Sequence, residues 1–145
     1  MANPLYGSNS ADDKLDGARM GSNGGYRDVG ADVTLTAEDA GVITFTSNGI
    51  DITLPAHQKG LTYHFIQTGD YATAACQVLS ADGNDWLGAI NAVTGVGDAS
   101  ALTDDKVIWG SGTLAGDSIS IVSTGSKWVV YNSFSSVTTN GVLFG

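Results

Sequence analysis

Residues 41–54 read Gly-Val-Ile-Thr-Phe-Thr-Ser-Asn-Gly-Ile-Asp-Ile-Thr-Leu, and this stretch decides the fold class. Ile43 and Phe45 fall on one side of an extended segment. Ile50, Ile52 and Leu54 then alternate with Asp51 and Thr53, and Pro55 ends the run. A period of two built from β-branched and aromatic residues marks half-buried strands, since a helix would need a period near 3.6. Between the two runs, Ser47-Asn48-Gly49 predicts a tight hairpin turn, because Asn-Gly tolerates the positive φ such a turn requires.

The same alternation extends in both directions. Upstream, Val33 and Leu35 share a face, and Thr36-Ala37-Glu38-Asp39 fits a capping box for one helical turn that Gly41 closes. Downstream, Leu61, Tyr63 and Phe65 alternate with Thr62, His64 and Ile66. Further strands are expected over 73–79, 86–93, 106–109, 118–123 and 127–131, with a last one through Val142, Leu143 and Phe144. Residues 81–85, 111–117 and 124–126 read as turns, and 94–105 as a Gly/Ala/Asp-rich loop. Nine or ten short strands at roughly 8–12-residue spacing suit a sandwich or barrel. The connections leave no room for crossover helices, which predicts mainly antiparallel sheets. The expected fold is all-β: a jelly-roll-like antiparallel β-sandwich over residues 31–145, preceded by an extended N-terminal arm, 1–30.

The arm has a different composition from the body. Residues 1–30 contain six Gly, and their larger apolar side chains are Met1, Leu5, Tyr6, Leu15, Met20, Tyr26 and Val29, without period. Ordering a residue costs about 1–2 kcal/mol of backbone entropy. Seven side chains at about 1.5–3 kcal/mol each do not offset that over thirty residues. The arm is therefore expected to order only against another protein, with Leu5, Tyr6, Leu15, Arg19, Met20 and Tyr26 as contacts.

Charge narrows the partners. The chain carries a net charge of −9. The arm is near neutral, with Lys14, Arg19 and Arg27 against Asp12, Asp13, Asp16 and Asp28. The body sets Lys59, Lys106 and Lys127 against eleven acids, which argues against a nucleic-acid partner. No run reaches the ~18 apolar residues of a membrane span, and the N-terminus lacks the apolar core of a secretory signal. The chain is expected to be made and kept in a cytoplasm.

Few residues invite chemistry. Cys76, the single cysteine, reads as a small buried hydrophobe, the alternative being a nucleophile for which no histidine partner is fixed. His57 and His64 lack metal-ligand spacing to Cys, His or carboxylate, and read as surface or interface histidines. A Ser-His-Asp arrangement stays open, since its members need not be adjacent, but no Gly-x-Ser-x-Gly elbow places one. Asp82, Asn84 and Asp85 read as a turn, with a calcium site as the alternative, and Asp104-Asp105 likewise. Trp86, Trp109 and Trp128 sit in apolar strand contexts and read as core or interface, with sugar stacking as the alternative. No enzyme activity and no cofactor are expected.

Two groups of segments together carry a family likeness. One is Leu35-Thr-Ala-Glu-Asp-Ala-Gly41 with Ile52-Thr-Leu-Pro55 and Gly60-Leu-Thr-Tyr-His-Phe-Ile66. The other is Gly116-Asp-Ser-Ile-Ser-Ile121 with Ser126-Lys-Trp-Val-Val130. Over residues 32–132 the pattern resembles β-rich structural modules of tailed bacteriophages, especially capsid decoration (cement) proteins and related fibre domains. The resemblance implies a jelly-roll-like homotrimer on the outer capsid surface of the virion, bound to the major capsid protein. It brings no catalytic residues, and it does not extend to the arm. A receptor- or glycan-binding module of a tail or head fibre is the alternative in a different class.

Overall fold

The structure, a computed structural model, describes residues 25–46, 48–83, 85–92, 95–99, 104–137 and 140–145. Its strands are β1 (Gly25–Val29), β2 (Val33–Thr34), β3 (Gly41–Thr46), β4 (Asp51–Thr53), β5 (Thr62–Gly69), β6 (Cys76–Leu79), β7 (Trp86–Ala92), β8 (Gly95–Ala99), β9 (Lys106–Trp109), β10 (Ser118–Ser123), β11 (Trp128–Phe134) and β12 (Val142–Phe144). They form two packed sheets, ordered β1-β3-β5-β10-β11-β7-β8 and β12-β9-β6-β4-β2. The expected all-β sandwich is present.

Pairing within the sheets is mixed. The pairs β1/β3, β3/β5, β2/β4, β4/β6 and β7/β11 run parallel, whereas β5/β10, β10/β11, β6/β9, β9/β12 and β7/β8 run antiparallel. The expectation of mainly antiparallel sheets holds only for the second set. From β1 to β6 the chain alternates strictly between the two sheets, so each strand of one sheet is the crossover between two strands of the other. A parallel pair needs a crossover of a dozen or more residues, and a strand in the facing sheet supplies it as well as a helix would. Consequently Asn48-Gly49 does not close a hairpin: it passes the chain from β3 in the large sheet to β4 in the small one. Cys76, buried as expected, fastens this corner, its sulfur lying 3.3 and 3.4 Å from the Asn48 and Ile50 amides and 3.2 Å from the Thr46 carbonyl.

Two other expectations change. The last residues of the expected arm are β1, whose burial alternates and ends in buried Val29. Within the expected 94–105 loop, β8 pairs with β7 at the sheet edge. Asp98 of β8 accepts the Phe144 amide at 2.8 Å and so links the large sheet to β12 of the small one.

The capping box at Thr36–Asp39 forms, but Gly41 does not close the turn: Ala40 caps it in extended geometry. Gly41 instead opens β3 with φ 137°, and a Cβ there would meet the Gly25 backbone within 3 Å. Glycine is needed because two parallel strands come too close for a side chain. Gly88 plays the same part between β7 and β11, with φ 121° and the Val130 carbonyl 2.6 Å from a Cβ position.

The inner faces interlock through aromatic side chains. Phe45 of the large sheet meets Trp109 of the small one edge-on at 5.0 Å, and Trp86 meets Phe144 at 6.3 Å. All three tryptophans are buried, as are Ile43, Ile52, Leu54, Tyr63, Phe65, Ile119 and Ile121. Burial of each large side chain contributes about 1.5–3 kcal/mol.

Candidate functional site

Three features of the described residues have the makings of a site: a buried histidine cluster, the root of the N-terminal segment, and the outer face of the large sheet.

The cluster gathers residues far apart in sequence. His57 lies in the loop before β5, Ser80 and Asp85 flank the turn between β6 and β7, and Ser123 ends β10. His57 Nε2 is 2.5 Å from Asp85 Oδ2, and His57 Nδ1 is 3.1 Å from Ser123 Oγ. Ser80 Oγ donates to the same Asp85 Oδ2 at 2.6 Å. Asp82 Oδ2 stands 3.7 Å from His57 Nε2. The imidazole stacks obliquely on Trp128 with centroids 5.2 Å apart. The His57 and Asp85 side chains are 7% and 5% exposed, whereas Asp82 is 57% exposed and faces solvent.

The order Ser123–His57–Asp85 has the connectivity of a hydrolytic triad, but not its accessibility. Ser123 is 1% exposed and its Oγ also accepts the Gly125 amide at 3.1 Å. A nucleophile must reach a carbonyl carbon, and the 124–127 turn closes over this hydroxyl. The cluster ties three chain segments together. A separate cleft of about 350 Å³ runs past Ala37, Gly41, Lys59, Leu61, Thr62 and His64. Its titratable side chains, Lys59 and His64, form no nucleophile–base pair with one another among the described contacts.

At the root of the N-terminal segment, β1 is held by side chains as well as by its ladder. Arg27 Nη1 donates to Asp39 Oδ1 at 2.6 Å, and Asp39 Oδ2 accepts the Thr36 amide and hydroxyl at 2.8 and 3.0 Å. Burial alone would raise the Asp39 pKa, but the Thr36 and Arg27 hydrogen bonds outweigh it and hold the carboxyl below its ordinary value. Tyr63, whose hydroxyl donates to the Thr36 carbonyl at 2.6 Å, is pushed well above the usual tyrosine range by burial and then by the Asp39 charge. On the outer side, Thr44 Oγ1 donates to Asp28 and lies 3.0 Å from the Tyr26 hydroxyl.

The outer face of the large sheet is unusual in what it lacks. Strands β3, β5, β7, β10 and β11 contain no Asp, Glu, Lys or Arg at all, in a chain of net charge −9. Register places Tyr26, Val42, His64 and Ser120 in one row, and Asp28, Thr44, Ile66, Ser118 and Phe134 in the next. A third row holds Thr62, Val122, Val129 and Leu87. Between Val130 and Asn132 the register slips past Tyr131, a bulge that sets its ring edge-on to His64. Tyr26, Leu87, Tyr131 and Phe134 are 69%, 41%, 53% and 47% exposed. The outer face of a solvated sheet is ordinarily polar, and contiguous exposed apolar side chains mark contact surfaces.

The remaining sequence candidates divide as follows. Leu5, Tyr6, Leu15, Arg19 and Met20 lie outside the described residues, and Tyr26 stands on the outer face next to Thr44. His64 is on that same face, bonded to Ser120 Oγ at 2.8 Å, while His57 is buried rather than at the surface. The tryptophans are core, so no indole face is open to a sugar. Asp82 and Asp85 are brought to His57, Asn84 lies outside the described residues, and Asp104 and Asp105 do not join that group. The link between His57 and Asp85 was not legible in sequence, because 28 positions separate them and no local pattern joins them. No family model matches the chain, and a search of curated proteins finds no match.

Proposed function

We propose that the protein is a structural subunit of a tailed-phage virion that decorates the capsid as a homotrimer and grips the major capsid protein with its N-terminal segment. The observation that carries this reading is the outer face of the large sheet, where five strands carry no charged residue and Leu87, Tyr131 and Phe134 are exposed, bordered by the strand into which that segment leads. Copies of a −9 chain repel one another. Contact through the face whose strands β3, β5, β10, β11 and β7 carry no charged residue, with Asp28 of β1 at its border, lowers that repulsion and removes Tyr131, Phe134 and Leu87 from water. The outer face is thus assigned to a second copy of the chain, and residues 1–24 to the capsid. Repetition by symmetry converts modest contacts into firm attachment. Of the jelly-roll-like domain that the phage resemblance implies, the two-sheet sandwich is compatible with this reading, although its pairing is mixed; the burial of all three tryptophans removes them as sugar-stacking platforms for a fibre module, while Tyr26 and Tyr131 stay exposed.

The test removes residues 2–24 and keeps β1, because a longer deletion would also strip an edge strand from the sheet. The truncated protein should remain folded and trimeric but fail to occupy capsids purified without the native subunit. Full occupancy by the truncated protein would refute the role given to the segment.

A further inference from the structure

We infer that His57, Asp82 and Asp85 form a binding site for a divalent transition ion of the zinc type. One ligand atom from each lies within 4.8 Å of the others. The three come from two loops that meet beside Trp128, with His57 supplying nitrogen and the aspartates oxygen. A second observation points to a ligand independently of that grouping. Among the described residues Asp85 Oδ1 is buried without a hydrogen-bond partner, although Oδ2 of the same carboxylate holds both His57 and Ser80. A desolvated carboxylate oxygen with no donor is costly, and a cation that draws Oδ1 toward His57 and Asp82 would satisfy it.

The chemistry of the set selects the ion. One imidazole and two carboxylates suit zinc and its neighbours, with water completing the shell. The two carboxylate charges balance a divalent cation and the neutral ring adds none, so the occupied site, buried at His57 and Asp85 and open at Asp82, becomes uncharged. Calcium prefers six to eight oxygen ligands, and the imidazole makes this a poor place for it. The proton on His57 Nε2 moves to Nδ1, where Ser123 Oγ at 3.1 Å can accept it, an orienting contact of the kind metal-bound histidines use. The Nε2–Oδ2 separation of 2.5 Å is a hydrogen bond's, so metal entry replaces that bond and turns the carboxylate to present Oδ1. Exposed Asp82 is the entry side. A bound ion would cross-link the loop before β5 to the turn before β7.

The experiment titrates the metal-free full chain with zinc chloride by calorimetry, with calcium chloride as comparator, and follows thermal unfolding. One zinc per chain should bind and raise Tm, while calcium at the same concentrations should do neither. Asp82→Asn should leave the metal-free Tm unchanged and weaken zinc binding by about tenfold or more. Cobalt should give a visible absorption band in the wild type that His57→Ala loses; if His57→Ala does not fold, Asp82→Asn decides alone. Absence of stoichiometric zinc binding, equal zinc affinity in Asp82→Asn, or saturation by calcium in place of zinc overturns the assignment.

Discussion

Replacing Gly41 by Ala should detach β1 while leaving the rest of the sandwich folded. Gly41 has φ 137°, and an added Cβ would lie 2.7 Å from Gly25 N and closer still to the Gly25 carbonyl oxygen. Both neighbours are backbone, so no side chain can swing aside. Keeping β1 in place combines that overlap with a backbone strain of about 1–3 kcal/mol. Releasing it forfeits the burial of Val29, about 1.5–3 kcal/mol, and ladder hydrogen bonds at about 0.5–1.5 kcal/mol each. Release also recovers about 1–2 kcal/mol of backbone entropy per residue over the five residues of the strand. These terms nearly cancel, so detachment is the cheaper response, and the Arg27–Asp39 and Thr44–Asp28 hydrogen bonds lost with the strand leave a global destabilisation of about 1–3 kcal/mol. Hydrogen exchange should show protection lost over residues 25–29 and retained in β5, β10 and β11. Gly30→Ala is the control, since no atom lies within 4 Å of its Cβ position and its φ is ordinary. Unchanged exchange at 25–29 in Gly41→Ala would show that the close parallel pairing of β1 with β3 is wrong.

Two further outcomes follow from the same contacts. Asp39 has a folded pKa below the unfolded value of about 3.9, so its contribution is present above that pH and is lost as pH falls through the folded value. Urea unfolding between pH 2 and 5 should show wild-type stability dropping toward that of Asp39→Asn as the pH decreases; parallel curves would contradict this. Tyr131→Asp places a charge at the centre of the uncharged face at a half-exposed position. It should leave Tm within about 0.5 kcal/mol of wild type in free-energy terms but shift sedimentation from trimer to monomer, and a wild-type sedimentation profile would remove that face from the interface.

The fold class was legible because alternation survives in nearly every strand: Ile43/Phe45, Ile50/Ile52/Leu54 and Ile119/Ile121 are buried as their period requires. Strand direction was not legible. Whether Asn48-Gly49 turns a hairpin or changes sheets depends on which partner lies beside Ile50, and that is a long-range fact. β1 was hidden because its glycines and aperiodic apolar residues read as part of an extended arm, yet at Gly25 and Gly41 two strands touch too closely for a side chain. β8 was hidden by Gly and Ala, whose strand preference is weak. The lone histidine His57 carried no signal of its cluster, since Asp85 and Ser123 reach it only after three loops have met. The charge-free strands, by contrast, are written in the sequence, but they become one surface only when β3, β5, β10, β11 and β7 lie side by side.

Counting this chain against the major capsid protein in purified virions, by quantitative mass spectrometry with isotope-labelled peptides, is the most direct test of the decoration role. The role predicts a fixed ratio within about threefold of equimolar, as symmetric coverage of a shell demands. A ratio far below that, of the size of one fibre per vertex or per tail, or absence from the particle, would contradict it.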